Sequence, residues 1–465
     1  VVYGRKGRPF DWISFSIYIS LVVIGWLMVY ASGIEQELSE GSDSLFPPGL
    51  LAQGYWVLIA LLVFGVCYLI DSKFWVTFAY PVFAFSLFLL LLVLILGSTI
   101  KGSTSWFQLF GFSFQPSELA KVGTGLALAA YLSHYKTDLS QFKYQVYALG
   151  IIATPVFLIM LQPDAGSALV FGSLMILLFR EGMPAGIYVI LLLAFGLFVT
   201  ALLFSFQQVL VGMLGLAALV MLNSLSKPAY RWLFNALIIL TVLSAWWLGF
   251  LVPAIWVLSA ALVVLLLKNW MDRNGRLVVG IIPAIALSAV FTLSAQYVFN
   301  DVLKPHQQDR INVWLQPEKC DPRGSLYNLL QSKVAIGSGG LQGKGFLQGT
   351  MTKLNYVPEQ STDFIFSTIG EEQGFIGSVG IIVLFVVLIM RIMMIGERST
   401  MRMYRHFAYA VAGYFFIHCF INIGMTMGLV PIVGIPLPLI SKGGSSLIGF
   451  SMMMGILLRM DRSGR

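Results

Sequence analysis

The stretch "FAFSLFLLLLVLIL", residues 83–96, carries one hydroxyl and no charge. Its flanks extend it, and a helix crosses the hydrocarbon layer of a bilayer with about 20 such residues. A second run, "IYVILLLAFGLFVTALLF" at 187–204, repeats the pattern. Neither run alternates apolar and polar residues, which excludes the roughly ten-residue dyad segments of a membrane β-barrel. The rest of the chain agrees. Of its 465 residues, 58% are hydrophobic and 11% charged, where a soluble domain carries about 25% charged residues. Mean hydropathy is +0.85. The fold class read from these facts is an all-α polytopic membrane protein.

Working outward from these runs gives about fourteen spans. They lie near 12–32, 50–70, 74–97, 117–135, 146–162, 165–180, 185–205, 208–225, 231–249, 250–267, 276–299, 374–394, 405–428 and 440–458. The first begins near Asp11 and is too long for the h-region of a cleavable signal peptide, so none is expected. Basic residues favour cytoplasmic loops. With the N-terminus inside, nineteen of the 29 Lys and Arg residues fall in cytoplasmic segments, and the acidic loop "EQELSEGSD" (35–43) falls outside. Both termini are then cytoplasmic. The long 300–370 connection, Lys101, Trp106, Glu118, Lys121, Asp164 and Lys442 face outward.

The net charge of +8 favours anionic partners, though the location of the charge matters more than its sum. It is distributed over span ends, and no nucleic-acid partner is expected. Cys67 and Cys419 lie in apolar spans and Cys320 in a polar stretch, so neither a disulfide framework nor a zinc site is expected. The glycine-rich "GSGGLQGKG" (337–345) fails the P-loop pattern: Ser338 stands where the first glycine belongs, and Lys344 is followed by Gly345. Tight turns and close backbone approach explain it better.

Ionisable groups near a bilayer pair with one another or line a wet cavity. "QPSELAKV" sets Glu118 and Lys121 three apart on one helix face. "QPDAGS" puts Asp164 in a hairpin, and "SKGGSS" puts Lys442 at the start of the last span. An internal brace and the wall of a polar cavity both fit these residues. His418, alone on an apolar helix, reads as a packed, hydrogen-bonded side chain.

Five motifs together closely resemble the SEDS family of shape, elongation, division and sporulation proteins. They are "FSFQPSELAKV", "LQPDAGSALV", "HQQDRINVWLQPEKCDPRGSLYNLLQSKVAIGSGGLQGKGF", "NYVPEQSTDFIFSTIGEEQGFIG" and "GLVPIVGIPLPLISKGGSSL". The third and fourth look more like the RodA branch than FtsW. The resemblance covers the chain up to about 180 and after about 300. It implies a peptidoglycan glycosyltransferase that polymerises lipid II on the outer face of the bacterial cytoplasmic membrane, for cell elongation and rod shape. A class B penicillin-binding protein would be its partner, with lipid II, the nascent glycan strand and membrane lipid as its other contacts.

The family pattern P-x-x-x-D-P-x-G maps onto Pro317–Gly324 and marks Asp321 as the essential acid. Family cavity positions map onto Glu118, Lys121, Asp164 and the Lys442 region, and Arg310 matches the arginine ahead of the motif. Trp106, Gln115 and Ser445 join them as substrate-binding candidates. Three departures stand out: Ser105 replaces an arginine before Trp106, Gln360 and Ser361 stand where a histidine is common, and Cys320 adjoins the key acid. The resemblance implies ten family-like helices, leaving about four inserted. The division expected is 1–180 for the N-terminal core, 181–299 for the region with the extra helices, 300–373 for the outer catalytic loop and 374–465 for the C-terminal helices.

Joining an α-linked pyrophosphate donor to a 4-hydroxyl in β linkage inverts the anomeric carbon. That step needs a base on the acceptor and cations at the leaving group. Asp321 is the expected base, and Arg310, Lys121 and Lys442 the expected cations. No cofactor is evident. No ligand pattern demands a divalent cation, although one could assist. Two rivals remain at this level: a flippase or transporter of a polyprenyl-linked precursor, since buried charges also fit that class, and a non-catalytic scaffold for the penicillin-binding protein.

Overall fold

The computed structural model describes residues 8–39, 48–100, 102–109, 112–225, 231–272, 275–321 and 324–463. Lys101, residues 40–43 of the acidic loop, and Pro322 and Arg323 of the family motif lie outside these. So do Arg5, Lys6, Lys227, Arg273 and Arg465 among the counted charges. The chain divides into two compact units, Val1–Pro184 with Cys320–Arg465, and Ala185–Lys319.

The first unit opens with α1 (Trp12–Ser39) and α2 (Pro48–Leu69). The span expected at 74–97 is two helices, α3 (Ser72–Thr77) and α4 (Ala79–Leu96). Asp71 caps α3, accepting from the Lys73 N–H. Pro81 explains the break, because its ring clashes with the carbonyl four residues back, at Thr77. A small antiparallel sheet that hydropathy does not reveal follows: β1 (Ser98–Ile100), β2 (Ser103–Leu109) and β3 (Phe112–Phe114), in that order. Phe107 pairs with Phe114, which delivers the chain to α5 (Pro116–Ser133). Then come α6 (Phe142–Met160), α7 (Ala165–Val170) and α8 (Leu174–Arg180), the last two joined by a 3-10 turn.

The second unit holds α9 (Ala185–Leu203), α10 (Phe206–Ser224), α11 (Arg231–Leu248), α12 (Leu251–Met271), α13 (Gly275–Tyr297) and α14 (Pro305–Leu315). Its core gathers Val211, Leu214, Ala218, Met221, Leu258 and Leu262. Asn269 is buried there, and its amide donates to the Met221 carbonyl at 2.9 Å, tying α12 to α10. A polar group in an apolar interior must find such a partner.

The chain re-enters the first unit through α15 (Ser325–Ser338) and α16 (Thr350–Lys353). It ends with α17 (Ile365–Arg398), α18 (Arg402–Met427) and α19 (Gly444–Ser463). Among the described residues, eleven helices are long and apolar enough to cross a membrane. The other three expected spans are also helical. Among them α5 carries Glu118 and Lys121, α19 carries Arg459, Asp461 and Arg462, and Ala165–Arg180 is short. The polar content of α5 and α19 is affordable because they are interior helices. Fourteen of the eighteen residues of α5 are buried, against Ala201 alone in α9. Small residues along α5 (Gly123, Gly125, Ala127, Ala129) let neighbouring helices approach.

One end of the first unit is tied by charge. Arg391 reaches both Asp11 oxygens at 2.8 Å, Arg398 bonds to Asp11 and Asp461, and Arg8 also meets Asp461. The start of α1, the end of α17 and the end of α19 therefore share one end. An even number of crossings requires the same.

Candidate active site

At the opposite end lies a polar cluster built on the first turns of α5. Pro116 starts this helix, where a missing N–H costs nothing, and Glu118 occupies the first turn, where the helix dipole favours an anion. Lys121 Nζ lies 2.7 Å from Glu118 Oε2, with the two side chains 2% and 5% exposed. The brace anticipated from the spacing is therefore present.

Its third member is His418 of α18. Lys121 Nζ is 3.0 Å from His418 Nε2, and His418 Nδ1 is 3.1 Å from the Pro436 carbonyl. A carbonyl only accepts, so Nδ1 carries the hydrogen. Nε2 is then the acceptor facing the ammonium, and the ring is neutral. The Phe450 ring of α19 closes the group, 5.0 Å from Lys121 Nζ. Gly449 makes room for it: a Cβ there would stand 3.1 Å from Glu118 Oε2.

A second group adjoins the first through Gln115. Its side-chain amide donates to Asp164 Oδ2 at 2.9 Å, and its backbone N–H donates to Ser445 Oγ at 3.1 Å. Asp164 also caps α7, accepting from the Ser167 N–H and hydroxyl at 3.0 and 2.8 Å. Ser445 in turn donates to the Ser113 carbonyl of β3 at 3.1 Å. Gln115, Asp164 and Ser445, far apart in sequence, thus meet where α5, α7 and α19 begin. Lys442 is exposed beside them, its backbone N–H held by the Ser361 carbonyl at 2.8 Å. Asn422 steadies the irregular segment before it, donating to the Asp363 and Ile435 carbonyls at 2.9 and 2.7 Å.

The glycine-rich stretch serves α17. Gly374 has φ of 64° and breaks that helix, freeing carbonyls. The 340–345 segment satisfies them: Lys344 N–H donates to the Glu371 carbonyl and Gly345 N–H to that of Glu372, both at 3.0 Å. In return Phe375 N–H donates to the Gly340 carbonyl at 2.9 Å. A Cβ on Gly343 would lie 2.1 Å from the Glu372 carbonyl oxygen, so only glycine fits. The N–H groups of Gly343, Lys344 and Gly345 are thus all engaged by carbonyls. Below them the buried Glu371 carboxylate accepts from Lys344 Nζ at 2.6 Å and from the Met351 and Thr352 N–H groups at 2.8 Å.

A family model for cell cycle proteins, FtsW/RodA/SpoVE, matches residues 11–212 and 251–465. The chain belongs to the FtsW/RodA/SpoVE family. The peptidoglycan glycosyltransferase RodA of Treponema pallidum is 29% identical over 459 residues, covering 98% of each chain. The peptidoglycan glycosyltransferase MrdB of Escherichia coli K12 is 30% identical over 368 residues, 77% of this chain and 72% of its own. Among solved structures, a chain described under "Structural coordination of polymerization and crosslinking by a peptidoglycan synthase complex" superposes with a TM-score of 0.61 at 24% identity, covering 98% of both. Thermus thermophilus RodA gives 0.55 at 23% identity, covering 98% of this chain and 97% of its own. These likenesses establish the fold.

In this FtsW/RodA/SpoVE member, Asp321 lies on an exposed turn at the re-entry into the first unit, its carbonyl accepting from the Gly324 N–H at 3.1 Å. Trp106 is half-buried on β2, and Ser98 of β1 donates to its carbonyl at 3.0 Å. Arg310 is exposed on α14 and belongs to the second unit. Among the described residues no group of three or more His, Cys, Asp or Glu could hold a metal ion. His418, Asn422 and Glu371 were not singled out as site residues from the sequence. The only signal was polarity inside an apolar span or beside one.

Proposed function

We propose that this chain polymerises lipid II into glycan strands, in the role of a RodA-type elongation enzyme. The observation that carries the reading is the match over 98% of both chains to a protein named as a peptidoglycan glycosyltransferase. In this reading the 4-hydroxyl of one lipid-linked disaccharide attacks the anomeric carbon of another, with inversion. Asp321, exposed to solvent and to an incoming hydroxyl, takes the proton as general base. The polyprenyl pyrophosphate leaves with its charge met by the exposed cation Lys442. Lys121 is sealed between Glu118, His418 and Phe450. It therefore contributes a fixed field beneath the site while Gln115, Asp164, Ser445 and Trp106 orient sugar and diphosphate.

The polyprenyl tails stay in lipid, which suits a site at helix ends. The polar end of the first unit would face outward in the bacterial cytoplasmic membrane, and the end holding Asp11 and Asp461 would face the cytoplasm. This follows the charge asymmetry of the loops. The inserted helices fall within the 181–299 region, and the outer loop spans 300–373. A class B penicillin-binding protein is the partner proposed, in keeping with the synthase complex named for the similar fold.

The test is polymerisation of labelled lipid II by the purified chain. Glycan product from the native protein and a loss of about 10²–10⁴-fold in Asp321→Asn are expected. Movement of lipid II across liposomes without glycan would overturn the reading in favour of transport.

A further inference from the structure

α5 ends at a second polar feature, remote from Glu118. A partly open cavity of about 780 Å³ lies where the end of α5, the α5–α6 connection, and the starts of α4 and α18 meet. Lys136, Lys143 and Arg402 line it together with Tyr80, Tyr144 and Tyr147. Its volume falls in the range of about 300–1,000 Å³ typical of sites for small organic ligands.

The three cations are uncompensated. Among the described residues none has a carboxylate within ion-pair distance. Asp138, the acid nearest in sequence to the two lysines, is committed to the Ser140 N–H and the Gln141 amide at 3.0 and 3.3 Å. The Lys136 ammonium lies over the face of Tyr135, 5.4 Å away. Three like charges around one cavity repel one another, and an anion seated among them removes that cost.

The level of the cavity indicates what kind of anion. Tyr80 is in the first turn of the span Ala79–Leu96, Lys143 is in the first turn of Phe142–Met160, and Arg402 begins Arg402–Met427. The cavity therefore opens where helices leave the apolar layer, the depth at which headgroup phosphates lie and at which Tyr, Lys and Arg anchor. Its lining joins cations to aromatic faces, matching a molecule that carries phosphate at one end and hydrocarbon at the other.

We propose that this cavity is a binding site for an anionic glycerophospholipid. Its phosphate sits among Lys136, Lys143 and Arg402, and an acyl chain lies along Tyr80, Tyr144 and Tyr147. The inference is independent of the reaction proposed above. It concerns the other end of α5 and α18, the two helices that the Lys121–His418 contact joins.

Native mass spectrometry of the full chain in detergent, titrated with dioleoyl phosphatidylglycerol or dioleoyl phosphatidylcholine, tests it. Phosphatidylglycerol should be retained in preference to phosphatidylcholine. The triple variant K136Q/K143Q/R402Q should lose about a hundredfold in phosphatidylglycerol affinity, from three basic contacts at an anionic headgroup. All three side chains are exposed, and the charge-conserving variant K136R/K143R/R402K controls for folding by binding as the native chain does. Undiminished phosphatidylglycerol binding in the neutral variant, equal retention of phosphatidylcholine, or loss of binding in the charge-conserving variant would each overturn the site. Displacement by millimolar inorganic phosphate would overturn the lipid as its occupant.

Discussion

Removing the carboxylate of Glu118 isolates a charge in the interior of the bundle. The pair is 2.7 Å apart, with side-chain exposures of 2% and 5%. At an effective dielectric near 20 the gross attraction is about 6 kcal/mol, and the desolvation of both ions cancels much of it. The net worth of the intact pair is therefore small, but truncating one partner leaves the other buried without compensation, at about 3–5 kcal/mol. His418 does not rescue it: Nε2 accepts one hydrogen bond from Lys121 without supplying a negative charge. Glu118→Gln should therefore lose about 3–5 kcal/mol of unfolding free energy, and Lys121→Met a similar amount by orphaning Glu118. The double variant Glu118→Gln/Lys121→Met should lose much less than the sum, with a coupling of about 2–3 kcal/mol. Reversible unfolding in mixed micelles of dodecyl maltoside and increasing dodecyl sulfate, followed by circular dichroism, measures all the corners of this cycle. Additive losses, or single losses below about 1 kcal/mol, would refute the buried-pair reasoning and imply that water reaches Lys121. The double variant also separates roles: native-like stability with no glycan product would assign the pair to the reaction's field as well as to packing.

Other perturbations read different parts of the molecule. Asp321→Asn, on an exposed turn, should leave the unfolding curve within about 0.5 kcal/mol of native while polymerisation of lipid II falls by about 10²–10⁴-fold. Gly343→Ala should cost more than about 2 kcal/mol, because φ is +80° and a Cβ would meet the Glu372 carbonyl at 2.1 Å; the same unfolding assay checks it. Burial alone would raise the pKa of Asp11, but the hydrogen bonds from Arg391 and the Ser14 N–H, with the charges of Arg391 and Arg398, hold it below its ordinary 3.8. Its stabilisation is thus complete above 3.8 and lost as pH falls through the lower folded value. Asp11→Asn should flatten that acid limb of a melting-temperature profile and lower the neutral plateau.

The membrane class and the shared end of the termini were legible in the sequence. Each depends on local composition. A run such as 83–96 is apolar whatever it packs against, and loop charges act through the bilayer rather than through a partner residue. Spacing also exposed the Glu118–Lys121 pair, because residues three apart on a helix are neighbours by geometry. The family motifs marked the chain's kinship, and the match to the Treponema relative extends over 98% of each chain. Proline chemistry at Pro81 and the small sheet at 98–114 lay below the resolution of hydropathy.

Tertiary structure alone decided the rest. His418 stands 297 residues from Lys121 and joins it only because α5 and α18 pack together. Gln115 and Ser445 are 330 residues apart, yet one hydrogen bond links them. The glycines of 337–345 had a reason only once Gly374 broke α17 and left carbonyls for them to satisfy. Lys136, Lys143 and Arg402 became a single cationic cavity through the meeting of three helix ends. Pattern in a sequence reports what a residue prefers within a few positions of itself. Which distant groups end up within 3 Å is set by how the helices pack, and that packing is where this protein's polar chemistry is assembled.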